Sequence, residues 1–401
     1  MAFLKKWFGT QEQSHLMPHS DSERAKQAWK DKFGGSELRL VPSDPEPFAP
    51  GRRLGGGGVG IVYETHLGGV ALALKRTYAR KLSKRDLNEV KIMGQLSERR
   101  HEHIVQLIGS YVHRQRNGYE IGLLMFPVAH CDLACFMHKM DALKSWILQP
   151  GDTGEVESEH ELRSATELLS VFWAANPNIE YLPVTKQKSE FIYNASQRRL
   201  CQSLLCISRA LSYLHQNKIR HKDLKPSQIL LSPNGLWLAD FGYSNDMSAY
   251  SNSATSDWDL ITYRYQAPER AAKGSCSRPE DVFALACTFL EMSVRLTDSA
   301  VMTIDCWKAG NGGKWSFQEN LADIEFWLAP LRTAKDVRIK CLADLICQMM
   351  SEDPKCRPKI AEVIDYLSQQ SFGEETPPYS FGSFLNPCCR FIDGVSKLGE
   401  F

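Results

Sequence analysis

The sequence predicts an α+β chain in which a small sheet with one helix precedes a mainly helical body. Three observations point there. Short β-type runs crowd residues 50–126: Ile61-Val62-Tyr63, Val70 to Leu74 and Ile121 to Phe126. Between them, Leu87, Val90, Met93 and Leu96 recur at helical spacing, so Asp86 to Leu96 reads as one helix with an apolar face. From Asp132 onward the pattern turns helical, and Leu200 to Leu214 and Val282 to Val294 are apolar enough to be buried helices.

The flanks read differently. Residues 1–48 form a polar N-terminal extension ending in a linker rich in proline (Pro42, Pro45, Pro47, Pro50). Met1 to Thr10 lacks the apolar stretch and cleavage site of a secretory signal and reads as a frayed terminus. Asp141 to Arg198 is far longer than an ordinary connection. With its acidic patch (Asp152, Glu155, Glu157, Glu159, Glu161) and its apolar piece Leu168 to Ala175, it reads as an insertion with some helix of its own. Residues 371–401 form a tail, and no internal repeat stands out.

The 401 residues are 43% hydrophobic, enough for a sizeable core or two packed lobes. A balance of 48 basic against 47 acidic side chains calls for neither nucleic acid nor an anionic membrane. No apolar run reaches the length of a membrane span, and the last four residues form no prenylation motif. The 12 cysteines are scattered; Cys131 and Cys135 lie close, as do Cys388 and Cys389, without a second pair at zinc-like spacing. Reduced thiols in a cytoplasmic or nuclear compartment are the expectation.

Chemistry concentrates in a few phrases. Gly55-x-Gly57-x-x-Gly60-x-Val62 can bring backbone N–H groups close to phosphate oxygens. A dinucleotide fingerprint, the mark of a dinucleotide-dependent oxidoreductase, would open a helix after its last glycine. Here a strand follows, then a turn at Gly68-Gly69, then a second strand ending in Lys75. Farther on, His221-Lys222-Asp223-Leu224-Lys225-Pro226 and Asp240-Phe241-Gly242 each set a carboxylate on a short loop after an apolar run. Two such groups can divide the work on one phosphate, one orienting a hydroxyl and the other holding a divalent metal.

With Ala73-Leu74-Lys75 upstream and Ala267-Pro268-Glu269 downstream, the chain resembles the protein kinase family over roughly residues 50–370. The resemblance implies a bilobal fold. Residues 49–126 would be an N-lobe of small antiparallel sheet plus one helix, and residues 127–370 a mainly helical C-lobe. It implies ATP and magnesium as cofactors and a protein hydroxyl as substrate. Asp223 would be the base, and Lys225, steadying the γ-phosphate, suits serine/threonine kinases. Thr262 would tie the substrate loop to these two. Lys75 would hold the α- and β-phosphates and pair with Glu89, while Asp240 and Gln228 would hold the metal. Val62, Ala73 and Leu230 would sandwich adenine, with Phe126 and Val128 at a hinge, Met125 to Val128, meeting its edge. Glu269 would clamp Arg357, and Asp281 would anchor the catalytic-loop backbone or cap its helix. Phrases such as Arg220-His221-Lys222-Asp223 resemble uncharacterised kinase-like proteins of filamentous fungi.

The chain departs from the family at three places. Gln228 stands where asparagine is usual, on a stem one methylene longer. Lys222 replaces a common arginine and lacks its fork. Four consecutive glycines and Val59 replace a loop with an aromatic tip, which predicts a mobile flap and modest nucleotide affinity. The loop Tyr243 to Tyr265, rich in hydroxyls, reads as a polar surface loop or as one ordered by phosphorylation through Lys222. These departures motivate an alternative, a pseudokinase scaffold with weak nucleotide binding and no phosphotransfer, its partners engaged through the insertion or the tails.

Overall fold

The structure, a computed structural model, describes residues 18–56, 60–84, 86–148, 156–173, 185–246, 263–297 and 316–369. Met1 to Thr10, the tail 371–401 and most of the Tyr243 to Tyr265 loop lie outside them. The chain divides into two compact units, Met1–Val128 and Ala129–Phe401.

The first unit is built on six strands. They are β1 (Glu37–Leu40), β2 (Arg53–Gly56), β3 (Gly60–Leu67), β4 (Val70–Ala79), β5 (Gln106–Gln115) and β6 (Gly118–Phe126), in the order β1-β5-β6-β4-β3-β2. Gly68 and Gly69 turn β3 into β4 at φ 58° and 75°, a left-handed pair that glycine adopts without steric cost. Along β4, Val70, Leu72 and Leu74 are buried on one side while Ala73 and Lys75 point to the other. The buried side packs against Ala25 and Trp29 of α1 (Pro18–Phe33), with Phe48, Tyr111 and Leu124. The helix α2 (Asn88–Glu98) buries Ile92, Met93 and Leu96.

Three expectations change here. The unit has two described helices rather than one. The sheet is mixed, because β1 runs parallel to β5, from Glu37 opposite Ser110 to Leu40 opposite His113. Residues 18–40, expected as part of a polar extension, form α1 and β1 packed on the sheet, and Phe48, in the proline-rich stretch expected as a linker, is buried with them. The physical reason is that α1 is polar overall with a narrow apolar stripe, Ala25 and Trp29 at i and i+4, which a strongly charged composition hides. Trp29 is 1% exposed, its ring centroid lies 4.6 Å from that of Phe33 and 6.1 Å from that of Phe48, and its indole N–H donates to the Gly35 carbonyl at 2.5 Å. Gly109 is small for this reason, since a Cβ there would sit 2.2 Å from the indole.

The second unit is mainly helical: α3 (Leu133–Leu148), α4 (Val156–Ser170), α5 (Lys186–Gln216), α6 (Pro268–Ala271), α7 (Arg278–Val294), α8 (Ile324–Arg332), α9 (Val337–Met349) and α10 (Ile360–Gln369). Every side chain from Glu280 to Val294 of α7 is buried, so this helix is the axis of the unit. The expected insertion is more helical than its composition suggested. It supplies α4, whose buried Leu162, Ala165 and Leu169 form one stripe, and the start of α5, capped by Thr185 accepting from the Lys188 N–H at 3.2 Å. Two small sheets set the loops: β7 (Cys131–Asp132), β9 (Ile229–Ser232) and β10 (Gly235–Leu238) in the order β10-β9-β7, and β8 (Ile219–Arg220) against β11 (Asn245–Asp246). Among the described residues no helix is long and apolar enough to cross a membrane, and the described cysteines are free thiols.

Trp29→Ala should cost about 3–5 kcal/mol of stability, because it empties a fully buried aromatic site. Val41→Ala, at a 53% exposed position, should stay within about 0.5 kcal/mol. Urea denaturation of the two proteins checks the contrast, and a small loss at Trp29 would return residues 18–40 to the role of a loosely attached extension.

Candidate functional site

In the sheet unit the polar chemistry gathers on the face opposite α1. Val62 lies directly opposite Lys75 across the β3–β4 pair, and Ala73 is two residues away on the same face. The Lys75 ammonium donates to both carboxylate oxygens of Glu89, at 2.8 and 2.9 Å, with both side chains about nine-tenths buried. The pairing that the resemblance implies is therefore present. Gly55 and Gly60 flank the tip of the β2–β3 hairpin; Gly57 lies outside the described residues. Gly60 is demanded by packing, since a Cβ would lie 2.6 Å from the Arg76 carbonyl oxygen. Gly55 is not: a Cβ there would meet nothing within 4 Å. After the last glycine the chain continues as β3 and not as a helix, which removes the dinucleotide reading. Phe126 closes β6, and Val128 is the last residue of the unit.

In the helical unit, hairpin register does the assembling. Ile229 pairs with Leu238, and the next rung joins the Ala239 N–H to the Gln228 carbonyl at 2.9 Å. That rung sets Gln228 beside Asp240. The Gln228 side-chain amide donates to Asp240 Oδ2 at 3.0 Å and lies 3.5 Å from Asp223 Oδ2. The Lys225 ammonium donates to the same Asp223 oxygen at 2.7 Å. Asp223, Lys225, Gln228 and Asp240 thus form one connected cluster, and the longer stem of glutamine does not keep it from Asp240. Leu230 sits on β9, half-buried, opposite Trp237 on β10 and Asp132 on β7. Arg199 of α5 braces the hairpin by donating to the carbonyls of Ser232 and Gly235 at 3.2 and 2.8 Å. Thr262 lies outside the described residues.

Asp281 fixes the loop that carries this cluster. Its carboxylate accepts the backbone N–H of His221 at 3.0 Å and of Lys222 at 2.8 Å, and the His215 ring N–H at 2.9 Å. It is not the helix cap; Ser277 occupies that position, so of the two readings the anchor holds. Lys222 and Asp240 both adopt left-handed backbone, at φ 68° and 60°, unusual for side-chain-bearing residues. The His221 ring donates from Nε2 to the Ala239 carbonyl at 3.1 Å, which leaves Nδ1 to accept from the Asp223 N–H at 3.4 Å. Phe241 is fully buried, its ring 5.6 Å from that of His221. Farther out, Arg357 uses all five N–H donors: two on Glu269 at 2.7 and 2.8 Å, and the rest on the carbonyls of Ser351, Pro279 and Glu352. Motif spacing gave no hint of Arg220, Glu280 and Arg270, which are charged and buried next to this loop. The only sequence signal was a pair of charges set in apolar surroundings.

Residues 179–367 match the protein kinase domain family. The chain is 29% identical over 225 residues to a G-type lectin S-receptor-like serine/threonine-protein kinase of Arabidopsis thaliana, covering 52% of this chain and 26% of that protein. It is 37% identical over 99 residues to the MAP kinase kinase skh1/pek1 of Schizosaccharomyces pombe, covering 24% and 26%. Cysteine-rich receptor-like protein kinase 44 of Arabidopsis thaliana is 25% identical over 363 residues, 84% of this chain and 76% of that protein. The chain spans about a quarter of the length of the first two relatives. The domain match and these serine/threonine kinase relatives support a protein kinase domain in this chain.

Burial alone would push the Asp281 carboxyl up, but His215 and the Lys222 N–H bring it down to about 2. A depressed carboxyl contributes stability above its unfolded value and loses it as pH falls toward the folded one. The contribution of about 2 kcal/mol should therefore be complete above pH 5 and fade between about pH 4 and pH 2. The stability gap between wild type and Asp281→Asn, measured by denaturation at stepped pH, should narrow across that window. A gap independent of pH would contradict the assignment.

Proposed function

We propose that this chain is an ATP-dependent protein serine/threonine kinase that transfers the γ-phosphate to protein hydroxyls with magnesium. One observation carries the reading: Asp223, Lys225, Gln228 and Asp240 meet in a single hydrogen-bonded cluster on a loop clamped by Asp281.

Each residue has a task in that reaction. Asp223 receives or orients the proton of the substrate hydroxyl. Lys225, already held on Asp223, brings positive charge to the transferring phosphate. Lys75, fixed in direction by Glu89, brings its charge to the α- and β-phosphates. Gly55, which packing leaves free to be larger, keeps its backbone N–H open to phosphate oxygen. Val62 and Ala73 offer apolar surface to the adenine ring, with backbone groups of Phe126 and Val128 at its edge; Leu230 remains an adenine contact by resemblance. Asp240 offers magnesium a hard carboxylate oxygen, and Gln228, whose amide N–H donates to Asp240 here, would offer its carbonyl oxygen once that amide turns over. Bound magnesium supplies charge neutralisation on those phosphates. Thr262 and Gly57 remain part of the proposal by resemblance.

Transfer of radiolabelled phosphate from ATP to a library of serine and threonine peptides tests this reading. Asp240→Asn and Asp223→Asn should each lower transfer by about a hundredfold or more. Gln228→Asn should keep or raise turnover and sharpen the magnesium dependence. Equal signals from wild type and Asp240→Asn, or none from either, would leave a nucleotide-binding scaffold instead. A sharp loss in Gln228→Asn would show that the site is built around glutamine.

A further inference from the structure

Directly before the catalytic loop, Arg220 is 0% exposed. A wholly buried guanidinium needs an acceptor and a counter-charge, and two other segments supply one each. It donates to the Cys276 carbonyl at 2.5 Å, in the connection between α6 and α7, and lies 3.6 Å from Glu280 Oε2 on α7. The other Glu280 oxygen accepts from Arg270 Nε on α6. Glu280 and Arg270 are 4% and 3% exposed. With Asp281 beside Glu280, two carboxylates on the first turns of α7 face two guanidiniums, so the buried charge balances. The paired carboxylates divide their work. Asp281 holds the loop by its backbone N–H groups, and Glu280 adds an ion pair, at 3.6 Å and longer than a hydrogen bond, to the side chain one residue earlier.

Glu280 and Asp223 border the same small cavity. A water-sized cavity of about 10 Å³ is bordered by Glu280 together with Lys222, Asp223 and Tyr265. The brace therefore joins three segments around the proposed base: the loop through Arg220, the helix after Ala267-Pro268 through Arg270, and α7 through Glu280.

We propose that Arg220, Glu280 and Arg270 are positioning residues that lock the Asp223 loop in register with α6, the element that follows Tyr263 to Tyr265. Buried ion clusters add little net stability, yet removing one member leaves an uncompensated charge and frees the geometry it held. A base displaced by a fraction of an ångström loses rate without losing nucleotide. The activity arm of this proposal rests on the kinase reading above; the structural arm does not.

The test uses the full chain carrying Arg220→Met, Arg220→Lys or Glu280→Gln, with Phe326→Ala on exposed α8 as a control. Amide hydrogen exchange resolved by peptide, and kcat and KM for ATP, are measured together. In Arg220→Met and Glu280→Gln, exchange across residues 219–228 should quicken by about tenfold or more, with α9 and α10 unchanged. In the same proteins kcat should fall by about tenfold or more while KM for ATP stays within about twofold. Arg220→Lys should recover part of both effects, because it restores the charge without the fork. Faster exchange spread evenly over the unit, or no change in residues 219–228, would overturn the brace. If wild type transfers no phosphate, the exchange readings still decide the brace, and only the kinase reading falls.

Discussion

The helical unit depends on one carboxylate. Asp281 sits near the start of a helix that is buried along nearly its whole length, and it accepts two consecutive backbone N–H groups from the loop carrying Asp223. The second belongs to Lys222, whose left-handed backbone costs about 1–2 kcal/mol in isolation. A rigid acceptor aimed at that N–H offsets the cost, and His215 holds the acceptor in place from behind. Once the loop is pinned at its start by Asp281 and at its end by the β9–β10 hairpin, the positions of Asp223, Gln228 and Asp240 follow from chain geometry. Little freedom remains for the cluster to be arranged otherwise.

The sheet unit reaches a comparable result through alternation. Period-two geometry along β4 sends Leu72 and Leu74 toward Trp29 and sends Lys75 the other way, toward Glu89. The layer formed by α1 and Phe48 covers the apolar face, so the opposite face is free to carry polar chemistry. Gly109 and Gly122 show how close that packing is. A Cβ at either would run into the ring of Trp29 or of Tyr111.

Much of this was legible in the sequence, and the reasons for success and failure are physical. Local phrases with fixed spacing, such as Asp240-Phe241-Gly242 or Ala267-Pro268-Glu269, encode loops whose partners are also fixed. Lys75 with Glu89, Glu269 with Arg357 and Asp281 with the loop backbone accordingly met as expected. Strand β5 left no alternating signal because its middle residues are buried on both faces. Helix α1 was hidden because Ala25 and Trp29 form a two-residue stripe in a charged segment. Arg220, Glu280 and Arg270 were illegible because a charge in a sequence looks solvated until its distant partner is known.

The likeness to protein kinases comes from the domain match and the serine/threonine kinase relatives, and the chemistry comes from the cluster. The two agree at residues 179–367, where α7, the hairpin and the loop all lie. The most direct measurement is the single-turnover rate of phosphate transfer from saturating magnesium-ATP, compared between wild type and Asp281→Asn. A slowing of about tenfold to a hundredfold with unchanged nucleotide affinity is expected, because the variant loosens the loop that holds Asp223 and touches no nucleotide. An unchanged rate would contradict the claim that this one carboxylate sets the geometry of transfer.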